Sequence, residues 1–411
     1  MDSAAGRLKW KAQKKKNRQL KPMIGYNMKN NVIAITNPYR WPFVRRGSER
    51  ILNDLAVYLS GQGVAVETYS LAPESKTWQE GQIEHHSIAT KWHTRFRQWN
   101  ECHYFAFALS SRLAQSRADV IHCLNYFDAY AAIIARKRYK LSCKVVFHAV
   151  GIPTKRYFRA VPLDAWFFST TLRHADEVWV LSNFAQQQLK QDFNCSSALF
   201  PPPVFGTALA ENKPVNLYST SPSLLFVGDC NEPRKGAALL ARAFSSIKRT
   251  YPEATLTFSG NVSEEVRFSI LQQQGVRDVQ SDIHFLGRGN VDDLPELYSN
   301  ATVTVLPAVW EAFGLVVVES LMQGTPVVGC NHAGIPDIID TYGVGQLFEP
   351  EMQNGLATNQ QGLEAAILAV ISSIGETTAD ACKQRAHAFS WEQLGPHYLN
   401  RYQALYNGVG L

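Results

Sequence analysis

The chain of 411 residues lacks several features that would assign it to a class at once. No apolar run reaches the ~18 residues that a membrane-spanning helix needs. Residues 1–21 are polar and basic, without the continuous apolar core of a signal peptide. The seven cysteines are scattered and none forms a Cys-x-x-Cys pair, so the sequence indicates neither a zinc site nor a disulfide framework. We therefore expect reduced thiols in a cytoplasmic protein.

Two ligand motifs are also missing. No Gly-x-Gly-x-x-Gly follows the first predicted strand, residues 32–36, which argues against a nicotinamide cofactor. No Asp-x-Asp metal motif is present. Asp292 and Asp293 are interpreted as acids at a helix start, near the positive end of its dipole. We expect neither a metal ion nor an organic cofactor.

Charge is low and unevenly placed. Charged residues make up 18% of the chain, and the formal net charge is +6. Residues 1–31 hold nine Lys or Arg and one acid, so the rest of the chain is near neutral, which argues against nucleic-acid binding. The basic tail is predicted to be disordered. It is either a solvated extension or a tether to anionic lipid, in which each basic residue contributes about 1 kcal/mol.

Strands alternate with helices along the rest of the sequence. The apolar run Val32–Thr36 predicts a buried strand, the amphipathic run Glu49–Ser60 predicts a helix, and Val64–Tyr69 predicts a second strand. This β-loop-α-β unit is typical of a parallel sheet. The alternation continues in two blocks that are separated by a Pro-rich, poorly periodic segment, 200–223. The pattern predicts two doubly wound α/β domains.

The stretch 307–337, PAVWEAFGLVVVESLMQGTPVVGCNHAGIPD, carries the most informative pattern. A short helix is predicted to begin at Gly314, where the missing side chain lets an anion approach the first free N–H groups. Glu311 lies just outside this helix and Glu319 lies more than one turn inside it. One carboxylate can thus reach a sugar and the other a ribose, with a phosphate between them. The alternative is a solvated Glu and an unrelated helix Glu, since such pairs also occur by chance.

Polar side chains that follow predicted strands are the next candidates. Lys235 lies between a predicted strand and a predicted helix, where its compact charge is well placed to hold a diphosphate. Asn125 and His148 come at the carboxyl ends of two further strands, the edge at which open parallel sheets bind ligands. A lone histidine there is either packed or catalytic, and both interpretations stay open. His85 and His86 are adjacent, so they do not face the same way, and we predict that both lie at the surface.

The stretch 307–337 resembles the donor-site signature of family-4 retaining glycosyltransferases, in which Phe-Gly-Leu follows the first Glu and Gly-x-Pro-Val follows the second. The matching residues are Glu311-Ala312-Phe313-Gly314-Leu315, Glu319, Gly324-Thr325-Pro326-Val327 and Gly334-Ile335-Pro336-Asp337. The resemblance covers roughly residues 32–407. It implies the GT-B fold, two Rossmann-like domains that face a central cleft, with the last helix crossing back to the first domain. The expected parts are a tail at 1–31, an acceptor-side domain at 32–205 with a helix in 392–411, and a donor domain at 206–391.

The resemblance also implies roles on the donor side. Glu311 would hold the transferred hexose and offset the positive charge that develops on its ring. Glu319 would accept hydrogen bonds from the ribose hydroxyls. Lys235 and the helix start at Gly314–Val316 would stabilise the leaving diphosphate. Phe313 belongs to the same signature and is counted as substrate-binding.

One position departs from the family pattern. Asp229 stands where the family has an Arg before its Lys-Gly pair, and Arg234 is expected to supply the missing charge. His148 would contact the sugar from the first domain. The remaining candidates are loop residues near the expected phosphate, acceptor or base: Gly47, Ser48, Asn125, Arg288 and Val291.

We therefore expect a metal-independent hexosyltransferase. It would move a hexose from a nucleoside-diphosphate sugar to a sugar or lipid-linked acceptor with retention of configuration, in polysaccharide or glycoconjugate assembly. We expect it in the cytoplasm, with the tail as a contact to the anionic inner membrane face. Three alternatives stay open: a GT-B phosphorylase or epimerase, a non-catalytic sugar-binding or scaffold protein suggested by Asp229, and a membrane-tethered regulator.

Overall fold

The computed structural model describes residues 31–41, 44, 47–89, 100–205, 221–289, 291–340 and 343–408. Within these residues the chain forms two compact units. Unit 1 takes in the described residues up to Leu181, Gln186–Pro203 and those from Trp391 onwards. Unit 2 takes in Ser182–Ala185 and the described part of Val204–Ser390. The basic tail and most of the predicted linker lie outside the described residues.

Unit 1 is built on an eight-stranded sheet in the order β3-β4-β2-β1-β5-β6-β7-β8. Neighbouring strands pair in parallel except β3 and β4, which are antiparallel. The elements of this part of the chain are β1 Val32–Thr36, α1 Gly47–Gly61, β2 Ala65–Ala72, β3 Lys76–Glu80, β4 Ile83–Ala89, α2 Glu101–Arg112, β5 Val120–Cys123, α3 Tyr126–Tyr139, β6 Lys144–Ala149, α4 Lys155–Ala160, α5 Pro162–His174, β7 Glu177–Val180, α6 Asn183–Phe193 and β8 Ala198–Leu199. The strands β5 and β7, neither of which is at an edge, are buried at every residue, as expected where a parallel sheet is covered on both faces.

The hairpin β3–β4 corrects one expectation. Its sequence is polar and gave no clear strand pattern, yet β4 pairs with β2 along seven residues. Because alternate residues of a strand face opposite sides, His85 is buried while His86 is half-buried. His85 Nδ1 lies 2.6 Å from Thr68 Oγ1. The prediction that both histidines lie at the surface is therefore wrong for His85.

Unit 2 is built on a six-stranded, fully parallel sheet in the order β11-β10-β9-β12-β13-β14. Its elements are β9 Ser223–Val227, α7 Ala237–Thr250, β10 Thr255–Ser259, α8 Glu264–Leu271, β11 Ile283–Gly287, α9 Leu294–Asn300, β12 Val303–Leu306, α10 Leu315–Met322, β13 Val327–Cys330, β14 Gly345–Phe348, α11 Gln360–Ser373 and α12 Thr378–His387. The helices α8 and α12 are additional to the predicted elements. In the described part of the chain, no single helix is long and apolar enough to cross a membrane. Among the helices of the described residues, α11 and α12 taken together pass that test of length and composition, with a bend of 113° between them.

The last helix, α13 Trp391–Tyr406, belongs to unit 1. Trp391 stacks on Tyr58 of α1, with ring centroids 4.3 Å apart. Gly395 leaves room for the same tyrosine, because a Cβ there would lie 2.3 Å from the Tyr58 hydroxyl oxygen. The far end of α13 is held by Tyr402, whose hydroxyl lies 2.6 Å from His122 Nδ1. These contacts confirm that the last helix returns to the first domain.

Candidate active site

The loop that carries Lys235 packs closely against the loop that carries Glu311, and the contact is made at Gly236. The strands β9 and β12 are parallel neighbours, so both loops leave the same edge of the unit 2 sheet. Gly236 follows a short 3-10 turn, Pro233–Lys235, and has φ +79°. A Cβ at this position would lie 2.6 Å from the carbonyl oxygen of Pro307. The close approach of the two backbones therefore requires glycine.

This approach brings three of the predicted charged residues together. Lys235 Nζ forms an ion pair with Glu311 Oε2, and Arg234 Nη1 lies 3.9 Å from the same oxygen. The side chains of Lys235 and Glu311 are only 17% and 20% exposed, so water screens their attraction less than at an open surface. Arg234 is more exposed and also pairs with Glu232. We refer to Arg234, Lys235 and Glu311 as the charged cluster.

The start of α10 has the geometry that the sequence predicts. Gly314 has φ +114°, and the first intrahelical hydrogen bond runs from Val317 N–H to Gly314 O at 2.9 Å. The N–H groups of Leu315 and Val316 therefore precede the bonded ladder of the helix. Both side chains are half-buried. The ring of Phe313 is 3% exposed and packs edge-on against Phe389, and its place in substrate binding stays a prediction.

Glu319 lies on α10 and has a partner that the sequence did not reveal. The Tyr298 hydroxyl on α9 donates to Glu319 Oε2 at 2.8 Å. Tyr298 is 1% exposed and fixed in the core, so the hydrogen bond orients the half-buried carboxylate. A tyrosine on a preceding helix gives no sequence signal for such a contact, because the pairing depends on how α9 and α10 pack.

Asp229 stabilises the turn that follows β9. Its Oδ1 accepts the backbone N–H of Asn231 at 3.0 Å and the side-chain amide of the same residue at 2.9 Å. Asn261 contributes a longer contact of 3.4 Å to Oδ2. The carboxylate therefore shapes the turn after β9. The positive charge near Glu311 comes from Arg234 and Lys235 instead.

The remaining predicted substrate-binding residues are divided between the two units. In unit 2, Arg288 is exposed after β11, and the side chain of Val291 lies outside the described residues. In unit 1, Gly47 and Ser48 form the first turn of α1. Asn125 is the N-cap of α3, where its side chain accepts the N–H of Phe127 at 3.2 Å.

His148 is packed inside unit 1, one of the two interpretations that the sequence left open. Its ring is fully buried within unit 1. The Nε2–H donates to the carbonyl oxygen of Phe200 at 3.0 Å, so Nδ1 is the acceptor, 3.2 Å from His122 Nε2. His122 must then donate through Nε2 and accept from the Tyr402 hydroxyl through Nδ1. Both ring nitrogens of His148 are therefore engaged within unit 1, and its contact with the sugar stays a prediction.

Burial also fixes the charge of this histidine pair. It lowers the pKa of His148 to about 3, and it lowers the pKa of His122 well below its ordinary value, with the neighbouring ring as a second cause. Both rings are therefore neutral at pH 7. They form a continuous hydrogen-bonded chain that ties α13 to β5, β6 and the residue after β8.

The fold and two family models together identify a class, the glycosyltransferases with a GT-B fold. A model described as Glycosyl transferases group 1 matches residues 209–364, and one described as Glycosyltransferase Family 4 matches residues 45–204. Together they span most of the chain. The protein belongs to the family-4 type glycosyltransferases.

Three proteins that are similar to this chain are a glycogen synthase and two proteins of known structure. The glycogen synthase of Mycobacterium tuberculosis is 26% identical over 313 residues, which cover 71% of this chain and 70% of that protein. The structure of sucrose-phosphate synthase from Thermosynechococcus elongatus aligns with a TM-score of 0.76 at 19% identity, covering 92% of this chain and all of that one. Anabaena HepE in complex with UDP and glucose aligns with a TM-score of 0.68 at 17% identity, covering 91% and 100%. At these identities the structures support the GT-B fold alone.

The contact at Gly236 gives the first prediction. Gly236→Ala should destabilise unit 2 by about 2–4 kcal/mol, because it adds both a strained positive φ and a clash with backbone. Gly287→Ala is the matched control, since Gly287 has φ +66° but no atom within 4 Å of an added Cβ. Urea unfolding should show a clearly larger loss for Gly236→Ala. Equal losses would mean that the approach to Pro307 is not a constraint.

The buried histidine pair gives the second prediction. Because the folded pKa of His148 is about 3, the unfolded chain binds more protons than the folded one below about pH 6.5. The free energy of unfolding therefore decreases as the pH is lowered. Between pH 7.5 and 5.0 this one group should cost about 2 kcal/mol of unfolding free energy. His148→Gln keeps a donor for Phe200 but cannot titrate, so it should remove the share of the slope that comes from His148 and leave the share that comes from His122. The exposed His174→Gln should leave the slope unchanged; the same slope in all three proteins would contradict the assignment.

Proposed function

We propose that the protein transfers a hexose from a nucleoside-diphosphate sugar to a sugar or lipid-linked sugar acceptor, with retention at the anomeric carbon and without a metal ion. The observation that carries the proposal is the charged cluster, which lies at the same sheet edge as the start of α10. Lys235 and Arg234 supply two positive charges, and the helix start supplies N–H groups that suit a phosphate. Cations and backbone donors at one place are what a leaving diphosphate needs.

The ion pair between Lys235 and Glu311 suggests how the empty and occupied sites differ. A bound diphosphate carries more negative charge than a carboxylate, so it competes for Lys235 and Arg234. Glu311 is then released from the pair as an acceptor for hexose hydroxyls. The carboxylate also offsets the positive charge that develops on the sugar ring as the bond to the diphosphate weakens.

The reaction needs no further charged group from unit 2. The bond between the anomeric carbon and the diphosphate oxygen breaks, and a bond to the acceptor oxygen forms on the same face. The proton of the acceptor hydroxyl passes to the departing phosphate oxygen. Glu319, oriented by Tyr298, accepts from the two hydroxyls of the ribose and so sets the position of the nucleotide.

The non-catalytic alternative is weakened by the geometry around Asp229. Its carboxylate is engaged in its own turn, while Arg234 approaches Glu311. The departure from the family pattern therefore moves the positive charge along the loop and does not remove it. Polysaccharide or glycoconjugate assembly is proposed as the pathway because glycogen synthase is among the similar proteins.

Nucleotide binding is the first test of this proposal. Thermal unfolding should be followed with UDP, GDP and ADP and with their common sugar conjugates, beginning with UDP-glucose. At 100 times the dissociation constant, the right nucleotide should stabilise by about 2.7 kcal/mol, which is about 5–10 °C for a domain of this size. Lys235→Ala should lose this shift, whereas Arg249→Ala, an exposed charge on α7, should keep it. No shift with any nucleotide would contradict a working donor site.

The stereochemical course and the metal requirement are tested together. Slow hydrolysis of the sugar nucleotide that binds can be followed by proton NMR before the free sugar mutarotates. A retaining enzyme should release the anomer that is present in the donor, and EDTA should leave the rate unchanged. Glu311→Gln should slow the reaction about 100-fold or more, because the developing charge loses its counterion. First appearance of the opposite anomer would contradict retention, and acceleration by inorganic phosphate would favour a phosphorylase.

A further inference from the structure

The backbone of Val309–Glu311 is anchored at three consecutive residues. Val309 N–H donates to the carbonyl oxygen of Arg234 at 2.9 Å. Trp310 N–H donates to His332 Nδ1 at 3.3 Å, and the carbonyl oxygen of Glu311 accepts the N–H of Gly334 at 2.8 Å. The first contact ties the segment to the loop after β9, and the other two tie it to the loop after β13.

The anchored segment has an unusual backbone. Trp310 has φ +59°, a left-handed conformation that is rare for a bulky side chain. Ala333, on the facing loop, has φ +58°. Such conformations persist only where the surroundings hold them, and they cluster at functional sites. Trp310 directly precedes Glu311, so its conformation sets the direction in which the chain delivers the Glu311 side chain.

Two side chains hold Trp310 itself. Its N–H donates to His332 Nδ1, and its carbonyl oxygen accepts a longer contact of 3.5 Å from Arg234 Nη1. The bonds of Val309 and Glu311 are backbone to backbone and do not depend on residue type, whereas the bond of the Trp310 N–H requires an acceptor on residue 332. Since His332 Nδ1 accepts a hydrogen bond, the ring carries its proton on Nε2. Half-burial lowers the pKa of His332, which favours this neutral form. The ring also lies edge-on to Trp310, with centroids 4.8 Å apart.

We propose that His332 is a positioning residue for Glu311. By accepting the Trp310 N–H, it holds the left-handed turn that places the Glu311 carboxylate beside Lys235, where it would receive the hexose of the donor. The inference rests on the proposed function, because it assigns to His332 the sugar part of donor binding and not the nucleotide part. His332 does not itself need to touch the sugar for this role.

The test compares a nucleotide with its sugar conjugate. The affinity gained by adding the hexose is the ratio of the two dissociation constants, measured by calorimetry with whichever pair binds the wild type: UDP and UDP-glucose, GDP and GDP-mannose, or ADP and ADP-glucose. His332→Ala should reduce this ratio about tenfold while changing the affinity for the nucleotide alone by less than about twofold. His332→Asn should restore most of the ratio, because the Asn side-chain oxygen can occupy the position of Nδ1. The control is His284→Ala, an exposed histidine on β11.

A double-mutant cycle with Glu311→Gln separates positioning from packing. If His332 acts through Glu311, the double variant should bind the sugar conjugate within about twofold of Glu311→Gln alone. Additive losses, failure of Asn to rescue, or an equal loss of nucleotide affinity would each overturn the inference. If the wild type binds no nucleotide, the proposed function fails. If it binds but His332→Ala leaves the ratio unchanged, only the role of His332 fails.

Discussion

The candidate site depends on a close contact between two backbone segments, which leaves no room for a side chain at position 236. Gly236 lies against Pro307 because β9 and β12 are parallel neighbours whose loops leave the sheet at one edge. Once these loops touch, Lys235 and Glu311 are brought to ion-pair distance although 76 positions separate them in the chain. The ion pair is thus a consequence of sheet topology. The Lys-Gly dipeptide has the same physical basis. Gly236 permits the close approach of the two loops, and this approach lets Lys235 pair with Glu311.

Two histidines near the carboxyl ends of strands show that position along the chain does not by itself decide whether a residue faces the site. His148 is the last residue but one of β6 and was the one singled out, yet it is buried in a hydrogen-bonded chain that holds the last helix. His332 follows β13 by the same rule and accepts the backbone N–H of the residue before Glu311. The rule that strand ends face ligands applies to both positions. What separates them is the neighbourhood, because His148 is covered by α13 and His332 is only half-buried.

Under the proposed function, the carboxylate of Glu311 would serve two states. Beside Arg234 and Lys235 it balances their charge in the absence of an anion. A diphosphate would replace it in that role, and the same geometry would then leave it next to the sugar. Asp229 takes no part in this exchange, because its oxygens are engaged by Asn231 and Asn261.

The sequence by itself determined the local elements and the fold class. The strand Val32–Thr36 was predicted with the bounds it has, and α10 was predicted to begin at Gly314, because the signals for such elements lie within a few residues of their ends. The hairpin β3–β4 was not, since its edge position leaves a polar sequence without a strong alternation. Tertiary structure alone decided the burial of His148, the partner of Glu319 and the hold of His332 on Trp310. These contacts join residues that are far apart in the chain, up to 280 positions for His122 and Tyr402. A sequence pattern covers only near neighbours, so it cannot predict which distant residues will touch.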